Sequence, residues 1–169
     1  MSAEKTINFD KQDLEKFFIK HLNKIYAAKM LLLAQLPEIM KNAYFSDLKY
    51  GILDTLEDVK KQVARMDEIF EIMHASVSSE NSNALESLVE DSFLDISRYA
   101  GYAELRDMSI LFYLHNIESI EMASFQILEM LAVKIKDERI KQLIKLNYED
   151  ARKGRTLLLL LNAKYISTV

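Results

Sequence analysis

Cysteine and tryptophan are absent from this chain, proline occurs once and glycine three times. Without cysteine there is no disulfide framework, no thiolate metal ligand and no thiol nucleophile. So few glycines and prolines leave too little turn punctuation for a sheet protein of 169 residues, which points to long helices. Long apolar runs are missing too: none approaches the roughly 20 residues that span a membrane, and the opening stretch MSAEKTINFDKQD has no apolar signal-peptide core. Nor is there a basic stripe. Net charge is -4 and the lysines are scattered among carboxylates, so no electrostatic footprint for phosphate is visible. These absences predict a soluble, cytoplasmic, single domain over residues 1–169, with residues 1–9 a flexible tail, binding neither nucleic acid nor membrane.

What is present is helical periodicity. Phe18, Leu22, Ile25, Leu32 and Leu36 place a first helix over about Asp10 to Asn42, with Pro37 expected to kink it or start a tighter final turn. Ser46 is a candidate N-cap for a second helix to about His74, whose seam runs Ile52, Leu56, Val59, Val63, Met66, Phe70, Met73. The linker ASVSSENSN precedes a shorter helix to about Arg98, for which Asn83 and Glu86 resemble a capping box. Gly101 breaks the chain before a third long helix to about Ile135, and Asp137 caps a fourth toward Ile166. From Ala75 to Ala103 there is enough chain to travel the length of a bundle, so the second and third long helices can run parallel. The expected fold is all-α: a ferritin-like four-helix bundle with a long middle crossover carrying a short extra helix.

Charge intrudes on the seams. The third long helix has Leu111, Leu114, Glu118, Glu121, Phe125, Leu128 and Ala132 at its core positions, so Glu118 and Glu121 are predicted to be buried. Ionised carboxylates buried without partners cost several kcal/mol each, so cations, shared protons or metal must compensate them. In the first helix Lys29 takes the seam position between Ile25 and Leu32; in the fourth, Asp150 and Gly154 follow Leu143 and Leu146, with Glu149 adjacent. Glu57 and Lys60 lie beside the second seam, one turn apart, and taken alone read as an ordinary surface pair. Together these residues predict one polar layer halfway along the helices.

The ordered fragments LNKIYAAK, LPEIM, VARMDEIFEIM, ALESLVEDS, AELRD, NIESIEMAS and YEDA, spread over Leu14 to Leu157, resemble the YciF/YciE family of bacterial ferritin-like proteins. The resemblance implies a dimeric bundle with a carboxylate and histidine di-metal site and an association with stress responses. Lys29 stands where the family has a glutamate, Lys60 and Ser119 stand where it has histidines, and Gly154 replaces a carboxylate. Glu57, Glu118, Glu121, Glu149 and Asp150 remain. Two readings result. In the first, Lys29 and Lys60 replace two metal ions, giving a core charge layer with Glu118, Glu121 and Asp150 and a non-enzymatic protein with no cofactor. In the second, an oxidoreductase or metal store keeps one iron or manganese ion on Glu57, Glu118, Glu121 and Glu149, with His115 as a further ligand.

Other candidate chemistry is thin. His21 and His74 have no ligand constellation, Tyr26 and Tyr148 are placed to border the polar layer, and Ser109 and His115 fall on different helix faces, so no triad forms. Five consecutive leucines, Leu157 to Leu161, point in every direction around the last helix. One bundle cannot cover them all, so they either pack beneath the crossover segment or make a homodimer contact, and the family resemblance favours the dimer.

Overall fold

A computed structural model describes residues 9–78 and 84–167. Five helices account for most of them: α1 (Lys11–Asn42), α2 (Ser46–Ile72), α3 (Ala84–Ser97), α4 (Ala103–Ile135) and α5 (Glu138–Ile166). Among the described residues there is no strand. Of the tail expected over residues 1–9, all but Phe9 lie outside the described residues, as does the expected capping role of Asn83.

The long helices pack cyclically, α1 on α2 and α4, and α5 on α2 and α4, while the short α3 lies against α1 and α4. Cross-helix contacts fix the directions. Between α2 and α5, Asp47 meets Lys164, Asp58 meets Lys153, and Glu68 meets Arg139, so these two run antiparallel. Asn42 with Arg106 and Lys29 with Glu121 make α1 antiparallel to α4, and Asn162 with Leu111 and Arg155 with Ser119 make α4 antiparallel to α5. Since α5 opposes both α2 and α4, those two share a direction, which the α3 segment between them makes possible.

The seams form one core. Phe18, Leu22, Ile25, Leu32 and Leu36 of α1, the α2 stripe from Ile52 to Phe70, and Leu111, Leu114, Phe125 and Leu128 of α4 are buried together with Leu143, Ile144 and Leu158 of α5. Gly51 lets α5 approach α2 closely, since a Cβ there would sit 2.9 Å from Leu161 Cδ1. Of the leucine run, Leu158 is buried and Leu161 nearly so, whereas Leu159 and Leu160 are exposed.

Two helix boundaries differ from expectation. The α-helix continues through Pro37 to Asn42 without a tighter turn, because proline removes only one amide donor and five residues suffice to close the final turn. Ser46 is not a cap: it is the first residue of α2, and the preceding residue, Phe45, makes no side-chain cap. Asp107 of α4 instead ties down the link before α2, its Oδ2 accepting from the amides of Tyr44 and Phe45, both at 2.6 Å. Asp107 is wholly buried, and burial pushes its carboxyl above the usual range against these bonds and the nearby Arg106. Asp107→Ala is therefore expected to cost about 1–3 kcal/mol in urea unfolding, the range for buried polar partners left unpaired, and Asp107→Asn to recover part of it. Asp137, by contrast, caps α5 as expected, accepting from Ile140 N at 2.9 Å.

Candidate functional site

Lys29 occupies the α1 seam with its side chain wholly buried, and its Nζ donates to Glu121 Oε2 of α4, equally buried. Glu118, one turn earlier on α4, is 4% exposed. Sequence periodicity placed these three in the core, and the helix packing brings them into one layer.

Their protonation follows from burial and from each other. Burial disfavours the ammonium of Lys29, but Glu121, Glu118 and Asp150, with the hydrogen bond to Glu121, hold it above its ordinary value, so it stays charged. Burial likewise pushes Glu121 up while Lys29 pulls it back. Glu118 is pushed up to about 8, by burial first, then by Glu121, Asp58 and Asp150, against the pull of Lys29. At neutral pH Glu118 therefore holds its proton beside the Lys29 ammonium, which Glu121 pairs directly. Gly154 of α5 packs against the acid: a Cβ there would meet Glu118 Cδ at 3.4 Å, an ordinary van der Waals contact. Among the described residues, Glu118 Oε2 and Glu121 Oε1 have no hydrogen-bond partner although both are buried.

Other expected members stand elsewhere. Glu57 and Lys60 are exposed and pair with each other at 2.8 Å, so Lys60 does not enter the core layer and Glu57 does not face Glu118. Glu149 is also at the surface, 3.9 Å from Lys145. Asp150 lies at the edge of the layer, bonded to Arg65 at 2.5 Å. His115 is half-buried, and burial followed by the Arg155 charge lowers its pKa. A cation at this position opposes metal binding there. Ser119 Oγ donates to the His115 carbonyl at 2.7 Å and accepts from Arg155 Nε at 3.0 Å. Tyr26 is edge-on to Phe70 and hydrogen-bonded to Asp67.

The polar residues that α2 does send inward went unrecognised in the sequence. They are Asp58, Gln62 and Arg65, spaced four and three apart on one face. Gln62 and Asn147 of α5 exchange bonds to each other's backbone carbonyls at 3.3 Å, and Arg65 reaches Asn147 Oδ1 at 3.2 Å. Asp58, 8% exposed, is met by Lys61 at 3.1 Å and Lys153 at 3.5 Å. This ladder joins α2 to α5 beside the Lys29 layer.

The donor set does not fit a di-metal centre. Two carboxyls remain, one bonded to an ammonium and the other protonated, and imidazole is missing; among the described residues no group of three or more His, Asp or Glu side chains is arranged to hold an ion.

The fold defines an all-helical protein. The model of the family described as "Domain of unknown function (DUF892)" matches residues 13–167, and the chain belongs to this family. Its structure is similar to that of the E. coli stress protein YciF, with a TM-score of 0.83 and 22% identity over 92% of this chain and 98% of that one. It is also similar to YcfI from Rhodopseudomonas palustris, with a TM-score of 0.78 and 22% identity over 94% and 97% of the two chains. No curated protein matches the chain.

Proposed function

We propose that the chain is a ferritin-like four-helix bundle, a single domain, in which a lysine has taken the place of metal, and that it works as a non-enzymatic, stress-associated protein of YciF type. The observation that carries this reading is the contact of Lys29 Nζ with Glu121 Oε2, both side chains fully buried. A cation supplied by the protein already neutralises the carboxylate that a metal would need. The second carboxyl, Glu118, is neutral near pH 7 and offers a metal little charge. The stress association rests on the likeness to the E. coli stress protein. A cytoplasmic homodimer fits the absence of cysteine and the exposed Leu159 and Leu160.

Purified protein incubated anaerobically with Fe(II) or Mn(II), desalted and measured by elemental analysis, is expected to retain far less than one ion per chain. A stoichiometric ion would overturn the proposal and restore the metal-store or oxidoreductase reading.

A further inference from the structure

Lys29 Nζ donates to Glu121 Oε2 with both side chains wholly buried, which holds a primary amine against a carboxyl group and away from water. Ile25 and Leu32 flank Lys29 along α1, and Leu114 and Phe125 flank the glutamates along α4, all four at 2% exposure or less. Glu118 stands three residues before Glu121 on the same face of α4 and interacts electrostatically with both members of the pair. Among the described residues no donor reaches Glu118 Oε2 or Glu121 Oε1. The ion pair uses neither oxygen.

An amine, a carboxyl and a second acid, closed off from solvent, are the components of amide formation. In neutral water the reaction fails because the amine and the carboxyl are both ionised. Here burial is the largest single influence on Lys29 and on Glu121, and for each it favours the uncharged form. Moving one proton along the hydrogen bond from Lys29 Nζ to Glu121 Oε2 converts the ion pair into a neutral amine and acid in contact. The fold also replaces a bimolecular encounter by an intramolecular one, an advantage equivalent to effective concentrations of about 10⁵–10⁸ M in well-oriented cases.

We infer that Lys29 and Glu121 condense after folding into a side-chain amide, with Glu118 relaying the proton, so that α1 and α4 become covalently joined. The inference rests on the reading of this layer as free of metal. The lone pair of Lys29 Nζ attacks Glu121 Cδ. Glu118, which holds its proton near pH 7, gives it to the departing Oε2 hydroxyl and recovers one from the nitrogen. One C–N bond forms, one C–O bond breaks, one water is released and nothing is oxidised or reduced. Glu121 Oε1 remains as the amide carbonyl, and the product no longer buries an ammonium and a carboxylate. Arg65 and Asp150, at 20% and 22% exposure, mark the edge of the layer through which the water reaches solvent. Since the neutral pair is the minor form, the bond accumulates after folding, and freshly folded protein holds the ion pair.

The intact mass of the full chain, taken fresh and after several days in neutral buffer, tests the inference. The folded chain is expected to become lighter by one water. After trypsin, residues 25–41, uncut after Lys29, are expected to be joined to residues 107–134. Lys29→Arg keeps the cation and is expected to retain its full mass. Glu118→Gln keeps the shape of the neutral acid but has no proton to relay, and is expected to slow the loss of water about a hundredfold or more. A wild-type chain that keeps its full mass throughout, a water lost while trypsin still cuts after Lys29, or an unchanged rate in Glu118→Gln would overturn the inference. Full mass in a metal-free chain overturns the amide alone, whereas a bound ion overturns the reading on which it rests.

Discussion

Lys29→Met is expected to destabilise the protein by about 3–5 kcal/mol, the cost of removing one partner of a buried ion pair. For a chain of this length that corresponds to a fall in melting temperature of roughly 6–20 °C. Methionine matches lysine closely in length and shape, so little of the loss comes from a cavity. The loss comes from Glu121, left buried with its Lys29 partner gone, beside the Glu118 carboxyl. It must protonate or draw in water, and either change weakens packing between α1 and α4. Thermal unfolding followed by circular dichroism measures the effect. A change within about 0.5 kcal/mol, the range of ordinary surface substitutions, would show that Lys29 carries no such role.

The second large effect is the dependence on pH. Glu118 titrates near its ordinary value of 4.5 when unfolded and at about 8 when folded. Between these values the folded state holds a proton that the unfolded state has released, so stability is full below about 4.5, falls as pH rises, and levels off above about 8. The slope contributed by this group cannot exceed about 1.4 kcal/mol per pH unit. Glu118→Gln removes the titration while keeping the shape of the neutral acid. It is expected to flatten the stability profile across that window and to raise stability at pH 8 by on the order of a few kcal/mol. Urea unfolding from pH 5 to pH 9 for both proteins decides it: parallel profiles would mean that Glu118 is ionised in the fold throughout.

How far the sequence carried this result differs from helix to helix. On α1 and α4 the charges sit on the seam itself, with apolar residues on both sides, so Lys29, Glu118 and Glu121 could be placed in the core from spacing alone. On α2 the seam from Ile52 to Phe70 is apolar and both flanks are polar. Glu57 and Lys60 lie on one flank, Asp58, Gln62 and Arg65 on the other. Which flank is covered depends on where α5 lies, a tertiary fact that the periodicity of one helix does not contain. The same ambiguity misplaced Glu149, whose neighbours Asn147 and Asp150 face α2 instead. The link after α1 failed for a related reason. Ser46 had the chemistry of a cap, but the carboxylate that receives the amides of Tyr44 and Phe45 comes from Asp107, more than 60 residues further along the chain. Asp137 was legible because its bond is local, to the amide three residues ahead.

The ion pair itself is open to a direct measurement, a double-mutant cycle on Lys29 and Glu121 in urea. Lys29→Met and Glu121→Leu are each expected to lose several kcal/mol, because each leaves one charge buried alone. The double variant, with apolar side chains on both helices, is expected to recover most of that loss and so give a coupling energy of several kcal/mol. Losses that simply add, with no coupling, would contradict the claim that a lysine and a glutamate neutralise each other in the core of this bundle.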